Sequence, residues 1–157
     1  MRLGITGHRG LPDDLAAEIR NSLYTALAPY PPTELVGVSC IADGPDAWFA
    51  RAVLDLGGTI EVVIPAETYR AGLPRWHHPE YDSLLAAAHV VHRTGMREST
   101  EEAHMAGSEV LLGVVEQLIA VWDGAPARGY GGTADVVAHA RRAGVPVHII
   151  WPEGATR

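Results

Sequence analysis

The sequence contains no lysine: all 12 of its basic residues are arginine, against 19 acidic residues, and its formal net charge is −7. The absence of lysine excludes a Schiff-base lysine, a catalytic lysine and a phosphate loop of the P-loop type. The acidic balance disfavours non-specific binding to duplex DNA, because that binding needs a basic face. We therefore expect no nucleic-acid partner.

Cysteine and long apolar segments are also scarce. Cys40 is the only cysteine, so neither an internal disulfide nor a CxxC metal site can form. The eight histidines match no standard zinc spacing, and we expect no metal site and no cofactor. No run of 18 apolar residues occurs, so we expect no membrane partner and a cytoplasmic location.

Short apolar segments alternate with longer segments of helical periodicity. Leu15, Ile19, Leu23 and Leu27 recur at every fourth position, which places them on one face of a helix. Candidate strands cover residues 3–6, 35–41, 59–64, 89–92, 118–122 and 145–151. Strands separated by helices predict an α/β fold: a single Rossmann-like three-layer sandwich with a mostly parallel sheet, forming one domain over residues 1–157.

Such sheets bind ligands beyond the carboxyl ends of their strands, so we took the candidate binding residues from the turns that follow the strands. These turns are rich in Gly, Asp, Thr and Arg. The candidates are Thr6, Gly7, His8 and Arg9, then Asp43 and Gly44, then Asp123 and Gly124, and finally Arg128, Gly131, Gly132 and Thr133.

These residue types suit a nucleotide or a sugar phosphate. Glycine lets the backbone approach a ligand closely, and the start of a helix offers free N–H groups to an anion. Arginine forms a fork that matches phosphate, and aspartate accepts hydrogen bonds from ribose hydroxyls. Alternatively, Gly131 and Gly132 only turn the chain and Thr133 only caps a helix. Neither the GxGxxG nor the GxxxxGK[ST] pattern is present.

Three segments carry a family resemblance: GITGHRG, ADGPDAWFA and LIAVWDGAPARGYGGTADVVAHARRAGVPVHIIWP. Together they resemble the SLOG superfamily of Rossmann-like proteins, which includes the LONELY GUY phosphoribohydrolases, lysine decarboxylase-like proteins and DNA-processing protein A. The resemblance implies a cleft in which Gly131, Gly132 and Thr133 hold phosphate, beside Gly7, His8 and Arg9. It also implies a homo-oligomer, with the apolar residues 110–115 as a candidate interface.

The sequence departs from that family where catalysis depends on an acid. The phosphoribohydrolases carry PGGxGTxxE, but Val136 stands here in the place of the glutamate. Asp135 or Asp46 could replace that acid as a catalytic residue. We favour a protein that binds a nucleotide or a nucleotide-derived phosphorylated ligand. The alternatives are a hydrolase or transferase acting on the N-glycosidic bond of a nucleoside monophosphate, and a non-catalytic assembly module. Whether the protein is an enzyme stays open.

Overall fold

A computed structural model describes residues 1–127 and 129–157, in which six strands alternate with six helices. The strands are Arg2–Gly7 (β1), Val36–Ser39 (β2), Thr59–Ile64 (β3), Val90–Arg93 (β4), Gln117–Val121 (β5) and Val147–Ile150 (β6). The helices are Asp13–Leu27 (α1), Pro45–Asp55 (α2), Tyr69–Gly72 (α3), His78–Ala87 (α4), Glu101–Leu112 (α5) and Thr133–Arg142 (α6). Short 3-10 turns at Pro32–Glu34 and Arg75–His77 precede β2 and α4.

The six strands form one sheet in the order β4-β3-β2-β1-β5-β6, and every neighbouring pair is parallel. The predicted α/β, Rossmann-like fold is therefore confirmed. The chain proceeds outward from β1 to β4 on one side and then crosses to β5 and β6 on the other. The order of strands switches between β1 and β5, where Gly7 is in register with Val121. A ligand cleft is expected at that switch.

Helices cover both faces of the sheet. Helices α1, α2 and α4 bury apolar side chains in the larger core on one face, and α5 and α6 do so in a smaller core on the other. The fourfold spacing in α1 has the predicted effect: Ile19, Leu23 and Leu27 are fully buried. Each such side chain contributes about 1.5–3 kcal/mol through burial. The sequence pattern thus fixes the face on which α1 packs.

Helix α5 differs from its predicted bounds at both ends. Its N-cap is Thr100, whose side chain accepts a hydrogen bond from the amide of Ala103 at 3.1 Å. The segment Ser99-Thr100-Glu101-Glu102 predicts a capping box with Ser99 as the N-cap, but the Ser99 hydroxyl lies 2.8 Å from Nε2 of His104 instead. The helical pattern of the sequence predicts an end at Glu116 or Gln117, whereas the helix ends at Leu112, before Gly113.

The apolar segment predicted as an interface lies at the end of α5 and in the turn after it. Val110, Val114 and Val115 are partly buried against the smaller core. Packing within the chain therefore explains their apolar character. In the described residues, no helix has the length and apolar content that a bilayer-spanning helix needs.

Candidate functional site

A cleft of about 360 Å³ opens at the carboxyl ends of β1 and β5, where the strand order switches. Its volume lies within the range of small-molecule pockets. The structure brings eight of the residues singled out in the sequence to its wall. They are Thr6, Gly7, His8, Arg9, Asp46, Gly131, Gly132 and Thr133.

Two of the glycines are required by the close approach of neighbouring elements. A Cβ at Gly7 would lie 2.8 Å from Cβ of Pro45 and 3.0 Å from Cβ of Val121, so only glycine lets α2 begin against the end of β1. Gly131 has a φ of +82°, and a Cβ there would lie 2.9 Å from the carbonyl oxygen of Glu101. These two positions shape the backbone of the cleft wall.

Helix α6 begins at the cleft with unsatisfied donors. Thr133 is 7% exposed, and its hydroxyl has no hydrogen-bond partner among the described residues. The backbone amides of Thr133 and Ala134 also have no acceptor within 1–127 and 129–157. Because the start of a helix carries a partial positive charge, these groups are arranged to receive an anion.

Arg9 contributes a guanidinium to the same cavity. Its Nε donates to Oδ1 of Asp43 at 2.9 Å, and Asp43 is itself buried. Nη1 of Arg9 has no acceptor in the described part of the chain. Asp43 therefore orients the fork of Arg9, a residue that lines the cleft, and leaves its Nη1 available to a ligand.

A further guanidinium, which the sequence analysis did not single out, comes from Arg157. Its Nε donates to Oδ2 of Asp123 at 2.8 Å, and its Nη1 lies 2.9 Å from Nδ1 of His8. Partial burial raises the pKa of Asp123, but the Ala125 amide, His8 and Arg157 outweigh it and leave the pKa below 3.8. Asp123 is therefore an ionised carboxylate that holds Arg157 against the cleft wall.

Asp46 lies in the cleft in the first turn of α2. The pKa of its carboxyl is raised from 3.8 to about 7, chiefly by burial and to a smaller degree by the charge of Asp43. The backbone amide of Ala42 and the charge of Arg9 act in the opposite direction. This carboxyl can therefore change its protonation state near neutral pH, as a general acid or base must.

Aromatic groups line another part of the cleft. The rings of Tyr69 and His104 meet edge to face with their centroids 5.8 Å apart. Burial and the charge of Arg9 lower the pKa of His104, so its imidazole is neutral at pH 7. Burial raises the pKa of Tyr69, so its hydroxyl remains a hydrogen-bond donor. These neutral groups suit an uncharged part of a ligand.

Several of the residues chosen from the sequence lie outside the cleft lining. Asp43 and Asp123 stand behind it as the partners of Arg9 and Arg157, and Gly44 and Gly124 do not line it. The Asp135 carboxylate does not line it either, because its Oδ2 accepts the amide of Gly131 at 3.0 Å. Arg128 lies outside the described residues.

Sequence reasoning also missed a polar face of α5. Glu101, His104 and Ser108 all line the cleft, and they follow one another at intervals of three and four residues. That spacing puts them on one side of a helix, so a search for polar helical periodicity could have found them. No cluster of three or more His, Cys, Asp or Glu side chains in residues 1–127 and 129–157 could hold a metal ion.

No protein-family model and no curated protein matches the chain. Solved structures do match it. DNA processing protein A from Streptococcus pneumoniae superposes with a TM-score of 0.73 at 19% identity, over 98% of this chain and 51% of the other. The chain therefore spans about half the length of that protein.

Two further structures show the same likeness. DNA processing protein A from Helicobacter pylori superposes with a TM-score of 0.69 at 13% identity, over 99% of this chain and 68% of that one. The Moco carrier protein of Chlamydomonas reinhardtii superposes with a TM-score of 0.57 at 18% identity, over 95% and 74% of the two chains. At these identities the likeness shows the fold.

The comparison corrects the expectation about nucleic acid. The Helicobacter pylori protein is described as binding single-stranded DNA. The prediction of no nucleic-acid partner, which was drawn from the acidic net charge of this chain, is therefore wrong. The acidic balance argues against non-specific binding to a duplex, whereas single strands can bind through stacking and a local groove. The resemblance to DNA-processing protein A is confirmed in the fold, which the chain shares with the solved structures of that protein.

Proposed function

We propose that the protein binds a nucleotide or a nucleotide-derived phosphorylated ligand in the cleft between the ends of β1 and β5. One observation carries this proposal: the Thr133 hydroxyl and the amides of Thr133 and Ala134, which have no partner in the described part of the chain, lie at the same cavity as Arg9. Directed N–H and O–H donors of this kind receive the oxygens of a phosphate group.

The other groups in the cleft require a ligand with donors of its own. Glu101 and Asp46 line the cavity as acceptors, while Asp43 and Asp123 pair with its arginines. Among the described residues these four acidic side chains outnumber the two arginines, so affinity depends on the placement of donors and acceptors and not on a net positive charge. A nucleotide supplies both phosphate oxygens and sugar hydroxyls or ring amines, whereas inorganic phosphate supplies only the former.

Thr133→Val tests the phosphate end of the cleft, because it removes the hydroxyl and keeps the shape of the side chain. We expect the wild type to bind at least one of AMP, ADP-ribose and NAD in isothermal titration, and Thr133→Val to bind it about tenfold more weakly. Thr25→Val is the matched control, since Thr25 is exposed on α1 and its hydroxyl bonds only to the carbonyl of Asn21.

Failure of the wild type to bind any of these nucleotides, in a folded sample, would reject the proposal. Equal affinity of Thr133→Val and Thr25→Val would reject the role given to the start of α6. An oligothymidine belongs in the same titrations, because the fold is shared with a protein described as binding single-stranded DNA. Competition between the oligothymidine and AMP would place a phosphodiester in the same cleft.

A second candidate function is cleavage of an N-glycosidic bond, and the placement of Asp46 favours it. A carboxyl with a pKa of about 7 within the cleft can donate a proton to a leaving base or accept one from water. Incubation with AMP followed by chromatography for free adenine tests this function. Release of adenine by the wild type but not by Asp46→Asn would support it. No release above a blank would exclude it for this substrate.

A further inference from the structure

The cleft has two arginine–aspartate pairs at the end of β1, and they come from opposite sides. Arg9 is held by Asp43, which precedes α2, and Arg157 is held by Asp123, which follows β5. Both guanidinium groups line the cavity, together with Thr133 at the start of α6. Donors therefore reach the cavity from three separate walls.

Arg157 is anchored and yet keeps donors for a ligand. Its side chain is 15% exposed, and it is fixed by Asp123 through Nε and by His8 through Nη1. Its Nη2 has no acceptor among the described residues. A guanidinium that is already oriented by a carboxylate loses little further side-chain freedom when it binds a ligand oxygen.

Arg9 and Arg157 each keep a guanidinium nitrogen, Nη1 and Nη2 respectively, that has no acceptor among the described residues. Arg9 follows β1 and is held by Asp43, whereas Arg157 is held by Asp123 after β5, so the two guanidinium groups belong to different parts of the cleft wall. A phosphate monoester carries its terminal oxygens on a single phosphorus atom, whereas a diphosphate spreads them over two. A diphosphate therefore offers each guanidinium group a phosphate of its own.

We infer that Arg157 is a ligand-binding residue and that, with Arg9, it selects ligands carrying a diphosphate, such as nucleoside diphosphates and their esters, over nucleoside monophosphates. This inference rests on the proposed function, because it names the class of phosphorylated ligand that the same cleft takes. Arg9 and the start of α6 hold one phosphate in either class. Arg157 contacts the additional phosphate.

Isothermal titration with ADP and AMP, without divalent metal, tests the inference. We expect the wild type to bind ADP about tenfold or more tightly than AMP. Arg157→Gln removes the charge and two donors but keeps most of the length of the side chain. It should lose most of the preference for ADP while its affinity for AMP stays within about twofold of the wild type.

Two further variants make the test specific. Arg157→Lys keeps the charge without the planar fork, and we expect it to restore only part of the preference for ADP. Arg142→Gln removes an exposed arginine from the last turn of α6 and should leave both affinities unchanged. Thermal melting of each variant without ligand confirms that the fold is intact.

The outcomes separate this inference from the proposed function. If the wild type binds neither ADP nor AMP, and also neither ADP-ribose nor NAD, the proposed function fails and this inference fails with it. If the wild type binds AMP and ADP equally, or if Arg157→Gln weakens both to the same degree or neither, the proposed function stands and the inference about Arg157 is wrong.

Discussion

The imidazole Nε2 of His77 lies 2.9 Å from the carbonyl oxygen of Ile41 and must donate to it, because a carbonyl can only accept. Ile41 has a φ of +50°, a value that β-branched residues rarely adopt. The Ser39 hydroxyl accepts the Ile41 amide at 2.9 Å on the other side of the same residue. His77 and Ser39 thus stabilise a strained turn that leads directly to Ala42 and Asp46 in the cleft.

Replacement of His77 should therefore destabilise the fold and disturb the cleft. His77→Ala leaves the Ile41 carbonyl buried without its donor, which costs about 1–3 kcal/mol in addition to the lost packing. Urea unfolding at pH 7 measures the loss. His148→Ala is the control, since His148 is exposed on the edge strand β6 and its replacement should change stability by less than about 0.5 kcal/mol. Equal stabilities of the two variants would show that the His77 hydrogen bond does not support the turn.

The raised pKa of Asp46 predicts an unusual dependence of stability on pH. A carboxyl whose folded pKa is about 7 holds a proton that the unfolded chain has already lost above about pH 4. Folding stability therefore falls as pH rises from about 4 to about 7, by up to about 4 kcal/mol from this group. Asp46→Asn cannot ionise, so it removes this part of the dependence.

Urea unfolding of the wild type and Asp46→Asn between pH 4 and pH 8 checks that prediction. Near pH 4.5 the two proteins should have similar stability, and by pH 8 Asp46→Asn should be the more stable. Asp14→Asn, at an exposed position in α1, serves as the control and should follow the wild-type profile. A constant difference between the wild type and Asp46→Asn across this range would mean that the Asp46 carboxyl is not desolvated.

Much of the fold could be predicted from periodicity, because burial imposes a repeat on the sequence. The strand Thr59–Ile64 was predicted with its observed bounds, since a run of apolar residues is buried there between two helical layers. The cap of α5 was wrong by one residue because Ser99 and Thr100 are both good caps. The Ser99 hydroxyl contacts the His104 ring in the first turns of the helix, while the Thr100 side chain accepts the amide of Ala103, and composition alone does not decide between these two arrangements.

The site was less predictable, because it depends on which distant residues meet. The rule that ligands bind beyond the strand ends pointed to Gly7, Arg9 and Thr133, all of which line the cleft. Nothing in the sequence around Arg157 indicates that it lies beside His8, which is 149 positions away. The sequence offers Asp135 as a candidate catalytic acid. Only the structure shows that its carboxylate instead accepts the amide of Gly131 and does not line the cleft.

An ion pair between buried Glu61 and partly exposed Arg2 on the sheet predicts a second dependence on pH. Glu61 accepts both Nη1 and Nη2 of Arg2 at 2.8 Å and lies 2.8 Å from Nε2 of His92. The hydrogen bonds from Arg2 lower the pKa of Glu61 to about 2, helped by His92 against the effect of burial. The stability from this group is therefore present above about pH 4.5 and is lost as pH falls toward 2.

Glu61→Gln should accordingly lose about 1–2 kcal/mol at pH 7, a figure reduced for the partial exposure of Arg2. The deficit should shrink as the pH falls from 4.5 to 2.5, because the wild type loses the same interaction there. Urea unfolding at these pH values measures both effects. Glu109→Gln, at an exposed position on α5, should match the wild type at each pH. A deficit that does not change with pH would assign the loss to packing and not to charge.

Gly124 and Gly131, in the loop before α6, have nearly the same backbone conformation but different surroundings. Comparing alanine substitutions at the two positions therefore distinguishes backbone strain from a steric clash. Gly131 has a φ of +82° and Gly124 a φ of +81°, so alanine at either position costs about 1–2 kcal/mol of conformational strain. A Cβ at Gly124 meets nothing within 4 Å, whereas one at Gly131 would lie 2.9 Å from the carbonyl oxygen of Glu101.

We therefore expect Gly124→Ala to lower thermal stability modestly and to keep nucleotide affinity. Gly131→Ala should lower stability further and weaken nucleotide binding by about tenfold or more, because the clash separates α5 from the start of α6. Thermal melting and titration of both variants compare them directly. Equal effects of the two substitutions would show that the contact between Gly131 and Glu101 does not shape the cleft.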